Sequence, residues 1–145
     1  MHFVGHSLGG LVTLQMLSKH ETTRSGRAVL LGSPLRGSFL ARSLAAKGRF
    51  GKWLIGPSLM DWDPPRLTAW TGNTEVGVIA GSVRLGIAMF FSTGLPKPND
   101  GAVAVEETKL PGLKAHIVLP VSHTGMLVSS RVMHITATFL RTGEF

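Results

Sequence analysis

The chain has 145 residues, of which 43% are hydrophobic and 16% are charged, and its formal net charge is +7. This size and balance predict one globular domain with its own core and exclude a disordered chain. Because the chain contains no cysteine, a disulfide framework and a thiolate zinc site are also excluded.

The N-terminal residues predict a strand that is followed directly by a helix. Residues 2–4 (HFV) can end a buried strand, and residues 8–19 carry apolar side chains near helical spacing. Between them, residues 5–9 read GHSLG. This matches G-x-S-x-G, the nucleophile elbow, in which a serine on a sharp strand-to-helix turn exposes its hydroxyl. We expect the glycine on each side of Ser7 to keep Cβ atoms out of the crowded turn.

The rest of the chain alternates short apolar runs with helical segments. Predicted strands cover residues 27–32, 76–81 and 115–120, and predicted helices cover residues 37–47 and 129–140. Residues 48–73 are rich in Gly, Pro and Trp and predict an irregular, lid-like excursion that covers the site. The alternation predicts an α/β fold with a mostly parallel sheet flanked by helices, in which ligands bind at the carboxyl ends of the strands.

Serine, aspartate and histidine occur in this order, each in a predicted turn or loop. A serine hydroxyl becomes a nucleophile when a base, usually a histidine oriented by a carboxylate, takes its proton. Asp100 lies in an Asn-Asp-Gly turn, and His123 follows the predicted strand 115–120. Alone, Asp100 is explained as a turn residue and His123 as an ordinary loop residue. The shared order and placement predict a triad of Ser7, Asp100 and His123.

Other polar residues compete for these roles. His116 lies within a predicted strand, where a structural role is the more frequent one, and is the alternative base. His6 is expected to pack or to line the site, and Asp61 and Asp63 are weaker alternatives to Asp100. No metal-ligand spacing, P-loop or dinucleotide fingerprint occurs, so neither a metal nor a cofactor is expected.

Three segments resemble the triad segments of the α/β-hydrolase superfamily: residues 5–10 (GHSLGG), 99–101 (NDG) and 122–130 (SHTGMLVSS). Within that superfamily the chain is most similar to small bacterial lipases and to the related esterases that include the GPI-inositol deacylase type. The resemblance covers nearly the whole chain but only the C-terminal part of the family's domain. It implies the C-terminal part of an α/β-hydrolase fold, a single partial domain over residues 1–145.

The resemblance also implies a role for each matched residue. Ser7 corresponds to the nucleophile, His123 to the general base and acid, and Asp100 to the carboxylate that orients the histidine. The backbone N–H of Leu8 is one oxyanion donor. The family's second donor lies on a loop after an early strand that this sequence does not include. We therefore expect an N-terminally truncated domain with an open sheet edge, which a homodimer would cover.

The expected function is a serine esterase or lipase that cleaves small-molecule or lipid carboxylic esters through an acyl-enzyme. The same triad fits an acyltransferase. The missing oxyanion donor leaves open an inactive hydrolase fragment that acts only by binding or by complementation.

The basic excess bears on partners. Within residues 19–52, eight Lys or Arg residues face one Glu, which fits a solvated face or peripheral contact with a lipid surface, and a lipid-surface binding protein is a further alternative. No nucleic-acid partner is expected, because no aromatic residues interleave these charges and no helix-turn-helix or zinc-finger pattern occurs. The apolar run 76–91 is too short and too polar to span a membrane. The compartment is not indicated, and a cytoplasmic location is slightly favoured.

Overall fold

The computed structural model describes residues 1–19, 26–45, 68–85 and 94–145. Within these residues, strands and helices alternate as the sequence predicts. The strands are β1 (Phe3–His6), β2 (Ala28–Leu31), β3 (Val76–Gly81) and β4 (Ala115–Leu119). The α-helices are α1 (Leu8–Lys19), α2 (Phe39–Ala45) and α3 (Ser130–Thr142), and short 3₁₀ helices occur at Val105–Thr108 and Gly125–Leu127.

The four strands form one parallel sheet in the order β1-β2-β3-β4. Gly5 pairs with Leu30, Leu30 with Val78, and Val78 with His116. The predicted α/β fold is therefore confirmed. Because all strands run the same way, the residues that follow them gather at one edge of the sheet. In the described part of the chain, β1 lies at the side of the sheet, and its Val4 is 52% exposed.

The core has two apolar layers, one on each face of the sheet. Alternate residues of β2 point to opposite faces, so Leu30 packs in the layer beneath α1 and Val29 in the layer beneath α3. Burial on both faces explains why β2 and β3 read as continuous apolar runs. The buried residues that the two helices contribute are Leu11, Leu14 and Leu17 from α1 and Val132, Thr136 and Phe139 from α3.

The start of α1 crosses β1 and the end of β2 at very short range. A Cβ atom on Gly5 would lie 2.6 Å from the Cα of Gly10, and a Cβ on Gly10 would lie 2.0 Å from Ser33 Oγ. The expectation of a glycine on each side of Ser7 holds for Gly5 and is wrong for Gly9, since no described atom beyond its own stretch of helix lies within 4 Å of a Cβ there. The tight crossing therefore depends on Gly5 and Gly10.

Some predictions fall on residues that are not described. The lid-like excursion of residues 48–73 lies outside the described residues except for 68–73, and the end of the apolar run 76–91 lies outside them as well. Across the described ranges, no helix combines the length and the apolar character that a bilayer crossing requires.

Gly9→Ala and Gly10→Ala form a matched pair that tests the crossing. Gly10→Ala places a methyl group against Ser33, so we expect the free energy of unfolding to fall by about 1–3 kcal/mol through overpacking. Gly9→Ala lies in the same helical turn and is expected to leave stability unchanged or to raise it by up to about 1 kcal/mol. Urea unfolding measures both variants.

The double variant Gly10→Ala/Ser33→Gly removes the atoms that the new methyl would meet. It should recover part of the lost stability. A Gly10→Ala variant as stable as Gly9→Ala would contradict the close crossing.

Candidate active site

Ser7 forms the whole connection between β1 and α1. Its φ is +53°, and it is the one non-glycine residue with positive φ in the described part of the chain. This left-handed conformation costs an L-residue about 1–2 kcal/mol, and such strain is concentrated at functional sites. Two hydrogen bonds hold the turn: the Ser7 N–H donates to the Leu31 carbonyl at 2.8 Å, and the Gly10 N–H donates to the Ser7 carbonyl at 3.1 Å. The sharp strand-to-helix turn that G-x-S-x-G predicts at Ser7 is therefore present.

The next residue along, Leu8, is the first residue of α1. An N–H in the first turn of a helix has no acceptor within that helix. The position directly after Ser7 therefore suits the predicted role of the Leu8 N–H as an oxyanion donor, which stays a prediction.

Asp100 is buried, with only 1% of its surface exposed. Its Oδ1 accepts hydrogen bonds from the N–H groups of Ala102 at 2.9 Å and Val103 at 2.7 Å. The neighbouring Asn99 fixes the loop, since its Nδ2 donates to the Pro96 carbonyl at 3.0 Å and its Oδ1 accepts from the Gly101 N–H at 3.1 Å. The Asn-Asp-Gly turn thus orients the carboxylate and leaves Oδ2 for another donor.

That donor is His123, whose Nδ1 lies 2.8 Å from Asp100 Oδ2. The backbone N–H of His123 also donates to the Asp100 carbonyl at 3.0 Å. Because the Asp100 carboxylate accepts this hydrogen bond, Nδ1 of a neutral His123 carries the proton. Its Nε2 then keeps a lone pair that can accept a proton. The structure therefore brings together two of the three predicted residues in the arrangement of an oriented base.

Gly32 connects this pair with the turn at Ser7. It follows Leu31, whose carbonyl accepts from Ser7, and its φ is +53°. A Cβ at Gly32 would lie 3.0 Å from Asp100 Oδ2 and 3.1 Å from His123 Nδ1. The elbow and the Asp–His pair therefore both contact the same short backbone segment. Among the described residues, the Ser7 hydroxyl forms no hydrogen bond, so the contact between Ser7 and His123 that the triad predicts is not made.

His6 contacts His123 from the side of the elbow. Its Nε2 lies 3.0 Å from the His123 carbonyl oxygen, and the two ring centroids are 4.6 Å apart. Burial, and then repulsion from His123, lowers the pKa of His6 below its ordinary value. His6 therefore packs against His123, and its predicted role in lining the substrate site stays a prediction.

Glu107 and Gly32 are site residues that the sequence analysis missed. Glu107 is buried in the 3₁₀ helix after the Asp100 loop. Its Oε2 accepts from the Ala104 N–H at 2.8 Å, and its Oε1 accepts from the Phe39 N–H at the start of α2. It thereby ties the Asp100 loop to α2. Two sequence signals could have identified them: Glu107 is one of few acidic residues in this chain, and Gly32 lies at the end of a predicted strand.

His116 has a structural contact. Its Nε2 lies 2.8 Å from the Thr108 hydroxyl, which itself donates to the Val105 carbonyl at 2.7 Å, so His116 donates to Thr108. Burial, and to a smaller extent the Lys109 ammonium, lowers the pKa of His116. This partner is a hydroxyl, whereas an oriented base needs a carboxylate. Asp61 and Asp63 lie outside the described residues.

The lowered pKa of His116 predicts acid sensitivity. In the unfolded chain this histidine binds a proton near its ordinary pKa of 6.5. In the folded chain its pKa is lower, so protonation requires a more acidic solution. The contribution of neutral His116 to the free energy of unfolding is therefore fully present above pH 6.5 and is lost as the pH falls below this value. We expect the free energy of unfolding to decrease from about pH 7.5 to about pH 5.5, and less steeply in His116→Gln. Urea unfolding across this range measures the slope; an equal slope in the variant would contradict the assignment.

Gly32→Ala tests the close contact with the Asp–His pair. The added methyl strains the backbone by about 1–2 kcal/mol and displaces the carboxylate from the imidazole. Gly94→Ala is the matched control, because Gly94 also has positive φ (+88°) but, among the described residues, its Cβ would meet only the Phe39 ring at 3.6 Å. Both variants should lose stability, and only Gly32→Ala should change the imidazole NMR signals of His123. Unchanged His123 signals in Gly32→Ala would disprove the contact.

Two known structures with a similar fold are those of one bacterial lipase in two forms. Lipase BlEst2 of Bacillus licheniformis in its mature form superposes with a TM-score of 0.71 at 18% identity, over 97% of this chain and 65% of that chain. Its propeptide form superposes with a TM-score of 0.63 at 23% identity, over 97% of this chain and 35% of that chain. No protein-family model matches the chain, and no curated protein matches its sequence. The chain therefore has a lipase-like α/β fold and spans 65% of the length of the mature lipase.

Proposed function

We propose that this protein is a serine hydrolase of carboxylic esters, with Ser7 as nucleophile, His123 as base and Asp100 as orienting carboxylate. The observation that carries the proposal is the 2.8 Å contact between His123 Nδ1 and the buried Asp100 carboxylate. It lies against the backbone segment that also holds the left-handed turn at Ser7. The likeness to bacterial lipases supports a hydrolase at a coarse level.

The chemistry begins at Ser7. His123 Nε2 accepts the hydroxyl proton while Ser7 Oγ attacks the ester carbonyl carbon, and the carbonyl oxygen becomes an oxyanion that the Leu8 N–H stabilises. The imidazolium then donates its proton to the alcohol oxygen as the carbon–oxygen bond breaks, which leaves an acyl-serine. A water molecule, deprotonated by His123, releases the acid and restores Ser7.

Asp100 contributes to this cycle by orienting the His123 ring and by stabilising the positive charge that forms on it. Its Oδ1 is occupied by two backbone N–H donors, so Oδ2 faces the imidazole in one orientation. A carboxylate held in this way keeps the proton of neutral His123 on Nδ1 and stabilises the imidazolium that forms. Burial removes competing water and strengthens the interaction.

The surroundings of the pair support an apolar acyl group or a lipid ester as substrate. Leu127 and Val128, just after His123, are 53% and 79% exposed. Leu85 is 64% exposed, and its backbone lies against Gly101 beside Asp100. Exposed apolar side chains around a site favour contact with apolar ligands or a lipid surface. Pairing of β1 with a second copy is a further part of this proposal.

Ser7→Ala and Asp100→Asn test the triad. With a short p-nitrophenyl ester, we expect Ser7-dependent turnover in the wild type and none in Ser7→Ala. Asp100→Asn should lower kcat by about 10³- to 10⁴-fold, because the amide favours the wrong histidine tautomer. Urea unfolding verifies that each variant is folded.

Covalent labelling supplies an independent readout of the nucleophile. A fluorophosphonate should modify the wild type at Ser7, which peptide mass spectrometry detects, and should leave Ser7→Ala unmodified. Equal ester turnover in the wild type and in Ser7→Ala would exclude Ser7 as nucleophile. A folded wild type that neither turns over ester nor reacts with the phosphonate would favour an inactive hydrolase fragment.

A further inference from the structure

The side chain of His6 has no assigned step in the reaction, yet it contacts the proposed base directly. It lies in β1 immediately before Ser7, and its Nε2 is 3.0 Å from the backbone carbonyl oxygen of His123. The two imidazole rings pack with their centroids 4.6 Å apart and their planes 46° apart. The residues are separated by 117 positions in sequence, so this contact belongs to the tertiary structure alone.

The direction of this hydrogen bond follows from its acceptor. A carbonyl oxygen cannot donate, so His6 Nε2 must carry the proton. Burial and the neighbouring His123 lower the pKa of His6 and favour its neutral form. A neutral imidazole with its proton on Nε2 donates one hydrogen bond and adds no positive charge beside His123. This suits a neighbour of a base that becomes an imidazolium during the reaction.

The backbone of His123 is thereby held on both of its polar groups. Its N–H donates to the Asp100 carbonyl at 3.0 Å, and its carbonyl accepts from His6. The first bond aligns the base with its carboxylate. The second joins the base to the residue whose peptide bond leads directly to Ser7. The backbone N–H of His123 is therefore bonded to Asp100. The backbone carbonyl of His123 is bonded to His6, the residue next to Ser7.

We propose that His6 is a positioning residue that sets the separation between Ser7 Oγ and His123 Nε2. The role rests on the proposed function of the triad. Without the His6 hydrogen bond, the loop that carries His123 keeps its contacts with Asp100 and Gly32 but loses its hydrogen bond to the strand that leads into the elbow. A misplacement of the order of 1 Å between reacting groups costs up to about 100-fold in rate.

Three variants distinguish the effect of losing the His6 hydrogen bond from the general effect of replacing a half-buried histidine. His6→Phe keeps a ring of similar size and removes the donor, whereas His6→Gln keeps an N–H donor at the position of Nε2. His116→Phe is the matched control, because His116 also donates from Nε2 at 2.8 Å, but to Thr108 and not to a triad residue. Steady-state hydrolysis of a p-nitrophenyl ester and urea unfolding are measured for the three variants, the wild type and Ser7→Ala.

We expect His6→Phe to lower kcat by about 10- to 100-fold with KM within about twofold, since a positioning role affects the reacting geometry and leaves ground-state binding of the ester unchanged. His6→Gln should recover most of kcat. His116→Phe should lose stability and keep kcat. Equal kcat in His6→Phe and the wild type overturns the positioning role, as does an equal loss in His6→Phe and His6→Gln.

Imidazole ¹⁵N NMR makes the inference testable apart from catalysis. In the wild type, His6 must show the tautomer protonated at Nε2, because only that nitrogen lies within hydrogen-bond distance of the His123 carbonyl oxygen. A His6 protonated at Nδ1 overturns the inference whatever the activity. Wild-type protein without Ser7-dependent turnover overturns the proposed function and the positioning role together, whereas a failure confined to the His6 variants leaves the triad standing.

Discussion

The left-handed turn at Ser7 is the constraint on which the site depends. One residue reverses the chain from β1 into α1, and such a turn requires backbone to approach backbone without intervening Cβ atoms. Gly5 and Gly10 provide this space, and the Leu31 carbonyl accepts the Ser7 N–H. The strain at the elbow is therefore balanced by packing against β2, which places the hydroxyl at the carboxyl edge of the sheet.

The buried carboxylate of Asp100 imposes the second constraint. A charge removed from water is stable only when its oxygens find donors. Asp100 finds them in its own loop and in His123, and Glu107 secures the same loop by accepting from Ala104. The network leaves little freedom for the imidazole, because each donor that satisfies the carboxylate also fixes the loop. Stability and orientation thus have the same cause at this position.

Backbone contacts join the elbow to the Asp–His pair. Gly32 lies against the carboxylate and the imidazole, one residue after the carbonyl that holds Ser7. The His6 side chain, from β1, lies within hydrogen-bond distance of the His123 carbonyl oxygen. The parallel sheet makes this convergence possible, since it brings the ends of all strands to one edge. A small displacement of β1 relative to β2 would therefore also change the position of His123, the proposed base.

Local pattern determined much of this protein: the alternation of strands and helices, the Ser7 turn and the candidate roles of Asp100 and His123 all follow from periodicity, turn chemistry and order along the chain. The tertiary structure alone decided which glycines are sterically required, because Gly9 and Gly10 look equivalent in sequence and differ only in what faces them. It also decided the contacts of His6 and Glu107. These depend on distances between segments far apart in the chain, and a one-dimensional pattern carries no information on such distances.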